Sequence, residues 1–138
     1  MENLKLKMVN FIAQNSEIEE TDMIFSFNNG KIKIYLSYET GCLKDIIFNK
    51  NDGWEKLETK ELDIPINFVG YPVFRYKYGL YEYVEIEIEE KLEKYLYNGN
   101  ILYILKGKEV FLRVKFKDKA FLFDKNCSLV GFIKILSF

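Results

Sequence analysis

The stretch ILYILKGKEVFLRVKFKDKAFLF, residues 101–123, places apolar side chains at alternating positions and interrupts them with short polar breaks. In its middle part, Val110, Leu112, Val114 and Phe116 fall at every second position, and Arg113 and Lys115 stand between the last three. A period of two is the period of a β-strand, because successive side chains of a strand point to opposite faces. The breaks at 106–108 and 117–119 are short enough for hairpin turns. This stretch therefore predicts consecutive antiparallel strands.

The same alternation and the same turn chemistry extend over most of the chain. Asn29-Gly30, Asp52-Gly53 and Asn98-Gly99 favour tight turns, because Asn, Asp and Gly tolerate positive φ. In the second half we expect strands at 101–106, 109–117, 119–124 and 129–137. Residues 101–105 and 130–136 are apolar on both faces, which predicts a sheet covered by a helix or wrapped into a barrel.

Two segments have spacing typical of helices. Residues 3–15 place Leu4, Met8, Phe11 and Ile12 on one helical face, which predicts an N-terminal helix. Residues 84–97 are ambiguous, and we expect a strand up to Glu87, followed by a short helix near 88–97 or an irregular turn that ends at Asn98-Gly99. The predicted fold class is therefore α+β, mostly β. We expect one domain spanning residues 1–138, with an antiparallel meander sheet that is strongly curved or barrel-like.

The composition excludes several kinds of chemistry. The chain of 138 residues contains no histidine, and its only cysteines, Cys42 and Cys127, lie far apart. Histidine is the commonest acid–base group and zinc ligand, and no phosphate-binding glycine motif replaces it. We therefore predict no catalytic residues, no cofactor and no metal. A hydrolase that uses carboxylates alone would need a convergent pair, and the sequence selects none.

Charge, hydropathy and amino-acid composition indicate the compartment and kind of organism in which the protein works. The formal net charge is −1, so no global field favours nucleic acid, and no apolar run reaches the roughly 20 residues of a membrane span. The start of the chain lacks a signal-peptide pattern, and two isolated cysteines do not form a disulfide framework. Frequent Lys, Ile, Asn, Phe and Tyr indicate an AT-rich genome. We predict a cytoplasmic bacterial protein that binds neither nucleic acid nor membrane.

An aromatic segment and an acidic segment follow each other along the chain. The aromatic segment is residues 71–83. If it is a strand, its period of two places Phe74, Tyr76 and Tyr78 in the core and leaves Tyr81 and Tyr83 exposed. Between residues 82 and 93 there are six glutamates and one lysine. Glu85 and Glu89 share a face whether the segment is a strand or a helix. The candidate partner-binding residues are Tyr81, Glu82, Tyr83, Glu85, Glu87, Glu89, Glu90 and Glu93.

Two interpretations of the acidic segment stay open at this level. Its glutamates could meet a basic partner, because complementary potentials steer association. They could instead pair inside the protein with Arg113, Lys115 and Lys117, which line one face of a predicted strand.

The sequence therefore predicts a protein-binding module rather than an enzyme. The preferred hypothesis is an immunity protein that neutralises a cognate toxin with a basic surface, a nuclease effector, by masking its active site. The alternative is a small-molecule carrier with an aromatic pocket in a β-barrel or cupped sheet. Such a cavity would be lined by Tyr76, Tyr78, Phe121 and Phe123.

Overall fold

The computed structural model describes residues 6–12, 22–37, 40–48, 57–75 and 84–136. This part of the chain contains β-strands, turns and extended connections, and no helix. In chain order its strands are β1 (Lys7–Ile12), β2 (Asp22–Phe27), β3 (Ile32–Ser37), β4 (Leu43–Phe48), β5 (Ile66–Val69), β6 (Tyr71–Arg75), β7 (Val84–Glu87), β8 (Leu92–Tyr97), β9 (Asn100–Leu105), β10 (Leu112–Phe116), β11 (Lys119–Phe123) and β12 (Leu129–Lys134).

The strands form two larger sheets and one small ladder. The six-stranded sheet has the order β5-β10-β11-β12-β9-β8, the four-stranded sheet has the order β4-β3-β2-β7, and β1 pairs with β6. In the second half of the chain, β8-β9, β10-β11 and β11-β12 pair as antiparallel hairpins. The hairpin predicted at 106–108 is wrong, because β9 pairs with β12 and β8 and not with β10. However, β5 pairs with β10 and β2 pairs with β7 in parallel, so the predicted simple meander is wrong. The strands described do not close into a barrel.

The two larger sheets pack face to face around one apolar core. Phe27 of the four-stranded sheet meets Phe132 of the six-stranded sheet with their ring centroids 5.4 Å apart, and Phe48 stacks on Tyr103 at 5.3 Å. Inward residues alternate with outward ones along β3 and β10, as the period of two predicts. The architecture is a β-sandwich.

The predicted N-terminal helix at 3–15 is wrong, because residues 7–12 form strand β1. Leu6 and Met8 are buried at alternating positions, so the strand period of this segment prevails over its helical spacing. Strand β1 also supplies backbone hydrogen bonds that a helix could not offer. The Met8 N–H donates to the Cys127 oxygen at 2.8 Å, and the Leu129 N–H donates to the Leu6 oxygen at 2.8 Å.

The β1-β6 ladder connects the two sheets. Strand β1 bonds to the start of β12, and its partner β6 bonds to the chain just before β4, where the Phe74 N–H donates to the Gly41 oxygen at 2.8 Å. Gly41 has φ +75°, and a β-carbon there would collide with the Phe74 carbonyl oxygen. Glycine is required at this position because the two backbones approach too closely for any side chain.

The predicted helix at 88–97 is also wrong. The strand predicted up to Glu87 is present as β7, but residues 92–97 form strand β8, and Asn98-Gly99 is the turn into β9. The helical pairs Glu87–Lys91 and Glu90–Lys94 would each contribute only about 0.2–0.5 kcal/mol. Pairing with β9 buries Leu92 and Tyr97 and satisfies a full ladder of backbone groups, which outweighs those pairs.

An extended segment covers the outer face of the six-stranded sheet. We call residues 57–65 the strap. Its start lies along β8, where the Lys60 N–H donates to the Leu96 oxygen and the Leu96 N–H donates to the Glu58 oxygen. It then crosses the sheet with Leu62 and Ile64 packed on a second apolar cluster and continues into β5 at the opposite edge. The residues of this cluster are Tyr97, Leu102, Ile104, Val110, Ala120, Leu122, Val130 and Ile133. The sheet was predicted to be covered by a helix or wrapped into a barrel, but its outer face is covered by this extended segment instead.

Candidate protein-binding edge

Strand β7 and the two residues after it carry a row of exposed carboxylates. Ile86 and Ile88 are buried in the core between the sheets, whereas Glu85, Glu87 and Glu89 are exposed. We call these three glutamates the acidic strip. Among the described residues, β7 is the last strand of the four-stranded sheet and has β2 as its neighbour. The isoleucines therefore anchor one side of the segment in the core, and the glutamates make its other side negatively charged.

Only one member of the acidic strip has an ion pair with a described residue. Lys33 Nζ lies 2.8 Å from Glu85 Oε1, and these side chains are 35% and 43% exposed. Lys33 belongs to β3, so its side chain reaches across β2 to meet Glu85. No described cation lies within ion-pair distance of Glu87 or Glu89, so most of the charge of the strip faces solvent.

The other predicted glutamates do not belong to this strip. Glu90 is half-buried in the connection between β7 and β8, and Glu93 lies on β8 in the six-stranded sheet. The Tyr95 hydroxyl donates a hydrogen bond to Glu93 Oε1 at 3.2 Å. Desolvation raises the pKa of Tyr95, and this hydrogen bond and the carboxylate charges of Glu93 and Glu58 raise it further. Tyr81, Glu82 and Tyr83 lie outside the described residues.

Of the two interpretations of the acidic segment, internal pairing with Arg113, Lys115 and Lys117 is not found among the described residues. Arg113 and Lys115 lie on β10 in the six-stranded sheet, whereas β7 belongs to the four-stranded sheet. Arg113 Nε instead donates to Asn67 Oδ1 at 2.7 Å. The acidic strip and the basic strand are therefore separate surfaces.

The aromatic residues assigned to the core are fully packed where the structure describes them. Phe74 is 3% exposed, and its ring centroid lies 5.9 Å from those of both Phe121 and Phe123. Phe121 also contacts Phe116 and Phe132. Tyr76 and Tyr78 lie outside the described residues. Phe121 and Phe123 thus fill the core between the sheets rather than line a ligand cavity.

Sequence reasoning missed a clamp between the two sheets. The side-chain amide of Asn28 donates to the Leu92 oxygen at 3.0 Å and accepts from the Leu92 N–H at 2.9 Å. In this way the turn after β2 pairs with β8 as a strand would. Asn28-Asn29-Gly30 is a recognisable turn sequence, but nothing local indicates a partner 64 positions away.

Sequence reasoning also missed a cleft of about 420 Å³ at one end of the six-stranded sheet. It is lined by Asp63 and Pro65 of the strap, by residues 107–111 and by residues 124–126. Its rim mixes both signs of charge, so it selects no ligand class.

Other candidate chemistry is sparse in the described part of the chain. Neither the buried Cys42 nor the half-buried Cys127 forms a disulfide. No three cysteine, aspartate or glutamate side chains among the described residues converge as a metal site. No described helix is long and apolar enough to cross a membrane. The predicted absence of a cofactor stays a prediction.

Comparison with known proteins assigns no family to this chain, so its function has to be inferred from the geometry. No protein-family model matches the chain, and a search of curated proteins finds no significant relative.

Proposed function

We propose that this chain is a non-catalytic bacterial protein-binding module that acts in the cytoplasm as an immunity protein. It neutralises a cognate toxin with a basic surface, a nuclease effector, by binding and masking the toxin's active site. The observation that carries the proposal is the acidic strip, in which Glu85, Glu87 and Glu89 face solvent from a strand anchored by buried isoleucines.

The rigidity of the acidic strip supports this proposal. The side chains of Ile86 and Ile88 are 8% and 4% exposed, and the Ile88 N–H donates to the Ser26 oxygen at 2.8 Å. Carboxylates on a fixed strand lose little backbone entropy on binding, and their negative potential accelerates encounter with a basic surface. A nuclease active site that binds phosphates is such a surface.

Charged edge strands also have a purely structural role, because they discourage pairing between sheets of different molecules. The acidic strip could serve that role alone. A binding measurement separates the two roles, since only partner recognition requires these carboxylates for association.

The carrier alternative has less support. Phe121 and Phe123, two of its four predicted lining residues, are fully buried among other aromatic rings. Neither residue lines the cleft of about 420 Å³, whose lining mixes apolar residues such as Val110 and Phe111 with charged ones.

The test uses the product of the gene adjacent to the one that encodes this chain. That product is expressed in cells with and without this chain, and growth is measured. Association of the two purified proteins is then followed by stopped-flow fluorescence at low and high salt. We expect growth inhibition that this chain relieves, and association that slows as salt rises.

The variant Glu87→Gln/Glu89→Gln tests the acidic strip, because neither residue has an ion pair with a described residue. We expect association to slow about three- to ten-fold with unchanged melting temperature. The matched control is Glu58→Gln/Glu61→Gln, which removes the same charge from exposed positions of the strap. Equal association rates for the two variants would remove the acidic strip from the mechanism, and a neighbouring product that neither inhibits growth nor binds would contradict the immunity proposal.

A further inference from the structure

Most edges of the two larger sheets are closed to an additional strand. At β4, Lys119 Nζ donates to the Ile46 oxygen at 2.8 Å and pairs with Asp45 at 3.3 Å. At β8, the Asn28 side chain forms hydrogen bonds with the backbone N–H and C=O of Leu92, and the strap forms them with those of Leu96. At β7, the acidic strip supplies repelling charge. These are the usual means by which proteins prevent strand addition.

In the part of the chain that the structure describes, none of these protections is found at the outer side of β5. Among the described residues β5 has a neighbour on one side only, and its residues Asn67, Phe68 and Val69 are exposed. Phe68 is 41% and Val69 is 77% exposed, which are high values for large apolar side chains in this protein.

The backbone direction of β5 shows which groups are open. The Ile66 N–H donates to the Phe111 oxygen, and the Gly70 N–H donates to the Lys115 oxygen. The backbone N–H and C=O groups of successive residues in a strand point to opposite sides. Those of the even-numbered residues of β5 therefore point to β10, and those of Asn67 and Val69 point away from it. Two donor–acceptor pairs are thus presented at the edge.

The surface beside this edge is basic. Asn67 and Val69 are in register with Arg113 and Lys115 on β10 and share their face of the sheet. Lys115 is exposed, and so is Lys117 at the end of the strand. A lysine in this protein can reach across one intervening strand to a carboxylate, as Lys33 does to Glu85. A strand added beside β5 would lie at that same separation from β10.

We propose that the open edge of β5 binds an extended acidic segment of a partner protein as an additional strand of the six-stranded sheet. Backbone bonds to Asn67 and Val69 hold the segment, and Lys115 and Arg113 contact its carboxylates. Charge disfavours pairing of β5 with β5 of a second copy, because that would bring the two basic surfaces together. This proposal is independent of the proposed function, since it concerns the other sheet and charge of the opposite sign.

The test uses a short synthetic peptide of alternating glutamate and valine, with a lysine–valine peptide of the same length as the matched control. Binding is followed through the backbone amide NMR signals of the whole protein, and through amide hydrogen exchange. We expect the acidic peptide to shift and protect the amides of Asn67 and Val69, with smaller effects at Ile66 and Phe68, whose amides already face β10. The lysine–valine peptide should leave these signals unchanged.

Two variants separate the backbone contribution from the charge contribution. Val69→Pro removes an outward N–H without removing a bond to β10, and we expect about ten-fold weaker binding, whereas Val69→Ala keeps the donor and binds more tightly than the proline variant. Lys115→Gln should weaken binding about two- to five-fold and reduce its salt dependence.

Three results would overturn the proposal. The first is equal binding of the acidic and basic peptides. The second is binding that leaves the amides of Asn67 and Val69 unprotected. The third is a concentration-dependent mass in sedimentation that Val69→Pro abolishes, which would identify a second copy as the occupant instead.

Discussion

The two larger sheets of this protein share one core but differ in their outer faces. The central strands β9, β11 and β12 of the six-stranded sheet are apolar on both sides, and the strap packs on the outer cluster that contains Leu102, Ile104 and Leu122. The outward positions of the four-stranded sheet include half-exposed Lys33 and exposed Glu85. The strap leaves the six-stranded sheet only its uncovered parts to offer a partner, such as the edge strand β5 with Arg113 and Lys115 beside it. The four-stranded sheet, in contrast, offers the charged side chains of its outward positions.

The largest expected effect concerns the clamp that couples the two sheets. Asn28→Gly removes both hydrogen bonds to Leu92 but still accommodates the φ of +52° at this position. We expect a loss of about 1–3 kcal/mol in the free energy of unfolding, because a partly buried N–H and C=O lose their partners. Urea denaturation measures it. The control is Asn29→Gly, at an exposed position with φ +58°, which should stay within about 0.5 kcal/mol of the parent protein. Equal stabilities of the two variants would mean that the clamp does not couple the sheets.

A smaller effect is expected for the cover of the six-stranded sheet. Leu62→Ala removes a partly buried side chain from the second cluster, and we expect a loss of about 1–2 kcal/mol. Hydrogen exchange should also quicken at Lys60 and Leu96, whose amides hold the strap to β8. Glu61→Ala, at the neighbouring exposed position, is the control and should change neither quantity. An unchanged exchange rate in Leu62→Ala would show that the side chain does not hold the strap in place.

The smallest effect is expected on the four-stranded sheet. A double-mutant cycle with Lys33→Gln and Glu85→Gln should give a coupling energy of about 0.2–1 kcal/mol at low salt. Both side chains are more than a third exposed, so solvent screens their interaction. The coupling should decrease as salt increases. The same cycle with Glu87→Gln in place of Glu85→Gln should give no coupling. A coupling well above this range would mean that the outward charges of this sheet contribute substantially to folding.

The sequence predicted much of the second half of the chain and misassigned two segments. The alternation in Val110, Leu112, Val114 and Phe116 and the Asn98-Gly99 turn led to strands and hairpins that the structure contains. The helices predicted at 3–15 and 88–97 are strands, because Leu92 and Met8 are compatible with either period when only local spacing is considered. The decisive partners, β6 for β1 and β9 for β8, depend on the tertiary arrangement.

The candidate site was predictable in part. The exposure of Glu85, Glu87 and Glu89 follows from their alternation with isoleucine, which a strand resolves into a buried and an exposed side. Glu93 could not be separated from them, because only the tertiary structure shows that the chain passes from one sheet to the other between β7 and β8.

By itself, the sequence determined the strand character of the second half, its turns and the presence of a concentrated acidic segment, because each follows from residues close together in the chain. Only the tertiary structure decided which strands are neighbours, since pairings such as β2 with β7 and β5 with β10 join distant segments. It also decided that the strap covers one sheet, that Lys33 faces Glu85 and that β5 has a neighbour on one side only among the described strands. The physical reason is that turns and strand periodicity are local properties, whereas an edge is defined by the strand that fails to pair with it.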